Sequence, residues 1–212
     1  VMTLQNGLGN VEKIAQFAKK DHIIAGTTTH GAYAYEKNQL RYTGGGEIIA
    51  GYPCGGDDAF LAKVAKIFSD CSLPIKPEQQ INHALWTKTL VNAAINPLTA
   101  LMGIKNGALL QDPELLFFME KILEEGAYVA EREGVTLLHP DIFSYTKTVA
   151  AKTGANYSSM LMDIQRGNPT EICAINGEIC RRGVRLGINL PYNMLMQDLI
   201  LALEGKKCYT SD

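Results

Sequence analysis

Past residue 80 the sequence stops offering strands, and everything after that point has to pack as helices. Apolar residues recur at helical spacing from Ile81 to Ile95, Glu114 to Glu133, Asp141 to Ala151, Ser158 to Gln165, Pro169 to Leu186 and Tyr192 to Leu203. Gly134 and Gly187 stand where left-handed caps end helices. Before residue 80 short β-type runs alternate with helical patterns. Val1–Gln5 is an apolar run stopped by Asn6-Gly7-Leu8-Gly9, and Asn10 is placed to cap a helix running to about Lys20. Ile23–Thr28 reads as a buried strand. Tyr33–Tyr35, Leu40–Thr43 and Glu47–Tyr52 read as short strands split by Asn38 and by Gly44-Gly45-Gly46, which suits an antiparallel extension. Asp57-Asp58 opens a helix through Phe68, and Leu73–Lys76 is a last strand. Strand, helix and strand with short links predict the second half of a doubly wound sheet, followed by an all-helical domain.

Bulk properties exclude several functions. The net charge of -2 gives no electrostatic case for nucleic acid or an anionic membrane. No apolar run reaches the ~18 residues of a membrane span. The five Cys are scattered without a C-x-x-C pair or a His at ligand spacing, so no metal is expected. An odd count of thiols in a chain of 212 residues reads as reduced cysteine, and the expected location is cytoplasmic. The chain opens at Val1 inside strand-like sequence, which reads as a cut edge.

The strongest chemical signal is Leu85–Ala100, LWTKTLVNAAINPLTA. Most of it is apolar, yet Lys88, Asn92 and Asn96 interrupt it at four-residue steps. At about 100° per residue such steps line one stripe. A solvated stripe normally uses Glu, Lys or Gln, whereas Asn is a weak helix former. An ammonium and two amides on one side of an apolar helix therefore read as the wall of a polar pocket. Asn donates and accepts, which suits a hydroxyl or a carboxylate. Pro97 should end or kink this helix.

Other motifs are weaker. Asn156, Ser159 and Asp163 would share a helix face, although Asn156 and Ser158 are equally good caps. Asn168-Pro169-Thr170-Glu171 is close to a capping box, and spacing alone favours that over a functional Glu171. Asn6-Gly7-Leu8-Gly9 ends a strand, where open α/β sheets bind ligands. Glu12 stands where a dinucleotide fingerprint needs its third glycine, so this is no phosphate cradle. Thr27-Thr28-Thr29-His30 ends the next strand, and a structural role is favoured for His30.

Five segments, LQNGLGN, GTTTHGAY, LWTKTLVNAAINPLTAL, NYSSMLMDI and TEICAINGEI, resemble in order and separation the ketopantoate reductases (2-dehydropantoate 2-reductases). The resemblance implies the C-terminal half of a Rossmann-type dinucleotide-binding domain over 1–78. Over 79–212 it implies an all-α substrate-binding domain, like the C-terminal domain of 6-phosphogluconate dehydrogenase, with the active site in the cleft between the two. It implies reduction of 2-dehydropantoate to (R)-pantoate by NADPH, on the route to pantothenate and coenzyme A. Carried over by position, Lys88 resembles the general acid. Asn92, Asn96, Asn106, Asn156 and Ser159 resemble the substrate-binding groups. Asn6 resembles a strand-end Asn touching cofactor and substrate, while Ala32 and Glu171 resemble cofactor contacts, Glu171 as the domains close. Asp163 is read as structural. The glycine fingerprint and the basic residue for a 2′-phosphate are expected in a segment preceding Val1. Two alternatives remain. One is a related reductase of another 2-oxo or 3-hydroxy acid. The other is a helical module for dimerisation or small-molecule binding, a homodimer being one assembly open to it.

Overall fold

Sheet and helix separate along the chain much as the residue patterns require. The computed structural model describes residues 1–36 and 38–205. They fall into two compact units. The first comprises Val1–Gln5 and Gly9–Leu85, and the second Asn6–Leu8 together with the chain from Trp86.

The first unit holds β1 (Met2–Thr3), α1 (Asn10–Ile14), β2 (Ile24–Thr28), β3 (Gly31–Glu36), β4 (Gln39–Gly44), β5 (Ile48–Gly51), α2 (Asp58–Asp70) and β6 (Ile75–Pro77). Four strands form one sheet in the order β1-β2-β5-β6. β1 runs parallel to β2 with Met2 opposite Ile24, and β5 runs parallel to β6 with Ile48 opposite Ile75. The central pair β2 and β5 is antiparallel, Ala25 facing Gly51. Among the described residues β3 and β4 pair only with each other, and the expected break at Asn38 is a left-handed turn position with φ 68°. Gly44–Gly46 then leads into β5. A side chain at Gly46 would strike the His30 backbone nitrogen at 2.3 Å, so glycine is required there.

The apolar face of the sheet is covered by α2. Leu61 is buried with Ile24, Ile48, Ala50, Tyr52 and Ile75, and Val64, Ala65 and Phe68 pack against them. Asp57 caps α2 by accepting from Ala59 N and Phe60 N, at 2.9 and 3.2 Å. The helix expected from Asn10 to about Lys20 is corrected to five residues, and Gly9, with φ 81°, takes the cap position. It buries no residue, and a helix that short gains nothing from extension without an apolar face to cover.

In the second unit the long helix α3 (Ile81–Met102) contributes everything from Trp86 on. α4 (Pro113–Arg132), α5 (Ile142–Lys152), α6 (Ser159–Arg166), α7 (Asn176–Arg185) and α8 (Pro191–Leu203) complete it. Asp112, Asp141 and Ser158 cap α4, α5 and α6 with side-chain oxygens. α8 is started by Glu125 of α4, whose carboxylate accepts from Tyr192 N and Asn193 N, both at 2.9 Å. Gly134 and Gly187 are left-handed after α4 and α7, as expected. Met119, Ile122, Val129, Ile172, Ile175, Ile179 and Ile200 are fully buried in this unit.

Pro97, expected to end or kink α3, does not end it, and the helix continues to Met102. The carbonyl that Pro97 leaves without a helical donor, on Ala93, accepts instead from Asn176 Nδ2 at 3.1 Å. The helix expected from Pro169 begins at Asn176, preceded by a 3-10 turn over Ile172–Ala174. Glu171 makes no cap there, so the capping-box reading fails. Among the cysteines, Cys54, Cys71 and Cys180 are free, whereas Cys173 is disulfide-bonded, against the expectation of reduced thiols throughout. No described helix is long and apolar enough to cross a membrane.

Candidate active site

Lys88 lies on α3 between buried Thr87, Thr89 and Leu90, and is itself half-buried. Nζ donates to Asn6 Oδ1 at 2.7 Å. Asn6 Nδ2 in turn donates to Glu171 Oε2 at 2.9 Å. Ammonium, amide and carboxylate thus form one chain within the second unit. Burial pulls the Lys88 pKa down to about 8, and the Glu171 carboxylate offsets part of that fall.

The backbone builds this chain. Gly7, with φ 84°, turns the segment after β1 so that Leu8 N donates to Ala174 O at 2.8 Å. A side chain at Gly7 would meet that same oxygen at 2.3 Å. The Asn-Gly-Leu segment is therefore stapled to the turn that follows Glu171. Thr170 N donates to Glu204 Oε1 at 2.8 Å and fixes the other side of Glu171. Asp163, on α6, has its pKa raised by burial and then by the Glu171 charge, and the neighbouring Asn168 side chain opposes that rise.

The rest of the stripe continues along α3. Asn92 and Asn96 follow Lys88 at one-turn steps, a span of about 12 Å from 88 to 96. Asn92 is half-buried and Asn96 is 6% exposed, which removes the solvated-face reading for Asn96. One turn further on, Thr99 Oγ1 donates to Ser158 Oγ at 2.7 Å, placing the start of α6, and so Ser159, beside that end of the stripe. Ser158, and not Asn156, is the cap of α6.

A second group gathers in the loop before α6. Asn106 N donates to Asn156 O at 3.0 Å, and Asn106 Nδ2 donates to Thr153 Oγ1 at 3.0 Å. Asn106 Oδ1 is buried without a partner among the described residues. An acceptor left in this state is a candidate for a ligand donor. The side chains of Asn156 and Ser159 are exposed. Ala32, on β3 in the first unit, is exposed and faces Tyr42 in register. His30 Nδ1 sits 2.7 Å from Tyr42 Oη and accepts from Gly46 N at 3.2 Å, contacts that hold the β3–β4 segment.

Sequence reasoning missed Asn176 and Gly7 as parts of the scaffold. Pro97 was the available signal for Asn176, because a proline inside a strong helical run obliges some other donor to take the carbonyl of residue 93.

Residues 80–204 match the family description "Ketopantoate reductase PanE/ApbA C terminal", and residues 1–54 match "Ketopantoate reductase PanE/ApbA". A 2-dehydropantoate 2-reductase of Halobacterium salinarum is 38% identical over 94% of this chain and 66% of its own length. One from Pyrococcus abyssi is 36% identical over 98% of this chain and 69% of its own. The chain thus spans about two thirds of the length of these relatives. Among solved structures, a D-mandelate dehydrogenase in ternary complex with NADH and anilino(oxo)acetate superposes with a TM-score of 0.91. It is 27% identical, over 97% of this chain and 67% of that one. Sequence and fold agree with the site geometry, and the chain belongs to the ketopantoate reductase family.

Proposed function

We propose that the intact protein reduces 2-dehydropantoate to (R)-pantoate with a nicotinamide dinucleotide, NADPH by analogy with the family. The observation that carries this is Lys88, a half-buried ammonium whose Nζ lies 2.7 Å from a strand-end amide and whose pKa is drawn toward neutrality. The curated relatives named 2-dehydropantoate 2-reductase support the substrate.

The donor set fits the nicotinamide end of such a cofactor. Glu171 engages Asn6 through Oε2, which leaves Oε1 to accept from a cofactor hydroxyl or amide. Because Glu12 stands where a dinucleotide fingerprint needs its third glycine, the pyrophosphate is assigned to residues other than this glycine segment. When bound, the reduced nicotinamide supplies the hydride. The residues of this chain handle charge and position. As negative charge grows on the C2 carbonyl oxygen, the Lys88 ammonium stabilises it and transfers a proton from Nζ, leaving a neutral amine and an alcohol. A pKa near 8 makes that transfer easier than the ordinary lysine value would. Asn92, Asn96, Asn106, Asn156 and Ser159 are assigned to the substrate carboxylate and hydroxyl, holding C2 at attack distance. Asn6 orients Lys88, while Ala32 and Glu171 are assigned to the cofactor.

A second reading follows from the D-mandelate dehydrogenase likeness: a 2-oxo acid other than 2-dehydropantoate, reduced by the same chemistry, with NADH as that structure's cofactor. Steady-state kinetics of the full-length protein decide between them, with 2-dehydropantoate and an aromatic 2-oxo acid each assayed with NADPH and NADH. A kcat/KM at least about tenfold higher for 2-dehydropantoate with NADPH is expected. Preference for the aromatic acid overturns the first reading in favour of the second.

A further inference from the structure

Pro97 stands inside α3 and supplies no N–H, so the Ala93 carbonyl four residues earlier loses its helical donor and is crowded by the ring. Ala93 is completely buried, which keeps water from replacing that donor. Asn176 Nδ2 takes the carbonyl at 3.1 Å and also donates to Asn193 Oδ1 at 3.1 Å. Asn193 Nδ2 passes the connection on to Ile122 O at 3.0 Å and Glu125 Oε2 at 2.8 Å. Both Asn176 and Asn193 are 0% exposed. Asn176 Oδ1 is buried with no partner among the described residues. An aliphatic residue would fill this space without stranding an acceptor, so it is the donor half of the amide that the position requires.

The location of this bond matters more than its existence. Ala93 follows Asn92 and precedes Asn96 on α3, so its carbonyl belongs to the stretch of backbone that carries both amides of the polar stripe. Asn176 is the first residue of α7, two residues past Ala174, whose carbonyl receives Leu8 N, and five past Glu171. One amide therefore joins the stripe on α3 to the segment that holds Asn6 and Glu171.

We propose that Asn176 is a positioning residue: by holding the Ala93 carbonyl that Pro97 releases, it sets where Asn92 and Asn96 stand relative to the Lys88–Asn6–Glu171 chain, and so governs affinity for the oxo acid. The inference rests on the reading of α3 as the wall of the substrate site. Asn176 touches neither substrate nor cofactor in this assignment.

The test uses the full-length protein and four variants: Asn176→Leu, Pro97→Ala, the double variant, and Asn96→Ala as a control on the wall itself. Each is measured for oxo-acid KM, kcat and Tm. Asn96→Ala should raise KM about tenfold, the worth of one hydrogen bond to substrate. Asn176→Leu should also raise KM about tenfold, with kcat within about threefold and a lower Tm. Pro97→Ala returns an N–H to compete for the Ala93 carbonyl. It should raise KM about threefold or more with Tm unchanged or higher. In the double variant the restored helical bond should recover Tm while KM stays high. That separation of KM from Tm is what a merely structural amide would not produce.

Recovery of wild-type KM together with Tm in the double variant overturns the inference. So does an unchanged KM in Asn176→Leu. If Asn176→Leu does not fold, Pro97→Ala decides alone, and wild-type KM there overturns the inference. An unchanged KM in Asn96→Ala removes the reading of the wall itself, and this inference with it. A raised KM in Asn96→Ala beside wild-type KM in the other variants removes only the role of Asn176.

Discussion

The two units of this chain are built to different standards. In the helical unit several awkward polar groups are met internally: Glu125 starts α8, Asn176 takes the carbonyl released by Pro97, and Thr99 joins Ser158, while Asn106 Oδ1 and Asn176 Oδ1 are buried with no partner among the described residues. The sheet unit has a small core beneath α2 and a first strand of two residues. The difference teaches where stability and chemistry reside. The second unit holds a half-buried ammonium in a hydrogen-bond chain that a well-packed surround keeps in place. The first unit offers loops and strand ends, the parts of a fold that open most readily.

The comparison can be broken most sharply at the proposed acid. In the intact protein, Lys88→Ala should lower kcat about 10³-fold while cofactor binding, read by fluorescence titration, persists. His30→Ala in the sheet unit should stay within about tenfold, since its ring only holds Tyr42 and Gly46. Equal losses would erase the division of labour. Next in size is Gly7→Ala. Its new methyl would collide with Ala174 O, and displacing the Asn6 segment by ~1 Å should cost about 10²-fold in kcat/KM. Wild-type kinetics would show that the staple is dispensable. A third measurement is amide exchange on this chain alone: α4 and α7 should be protected at least ~10-fold more than β1 and β2. Uniform protection would mean that the two units unfold as one.

The smallest expected effects concern pH. Lys88 must be protonated to act as an acid, so kcat/KM for reduction should fall as pH rises above about 8. A limb at the ordinary lysine value would contradict the burial argument. The stability effect has the opposite direction. Because burial lowers the folded-state pKa, the unfolded chain binds more protons between about 8 and 10.5, and stability should rise with pH across that window. Lys88→Met should flatten the rise in Tm.

Much of this architecture was legible. The switch from two-residue to helical periodicity near residue 80 marked where strands end, and Asn96 is buried as expected of an amide that is a poor choice for an exposed helix face. What could not be read depended on partners distant in sequence. Glu171 looked like a cap because Asn168-Pro169-Thr170 is good local grammar, yet Asn6, 165 residues away, takes its carboxylate. Pro97 looked like a terminator because the donor that rescues its helix sits 83 residues from Ala93. The antiparallel extension over Glu47–Tyr52 was legible, but its pairing with β2 was not, since the partner strand is set by how the β3–β4 segment returns the chain and not by the strand residues themselves.

Asn6 has one further consequence. A primary amide conveys hydrogen-bond direction but does not titrate in the working range of an enzyme. Placed between Lys88 and Glu171, it lets the carboxylate steady the ammonium through space while denying it a route for protons. In the role proposed for Lys88, the amine left after each turnover cannot be recharged through the Asn6 amide, so its new proton has to arrive by another path.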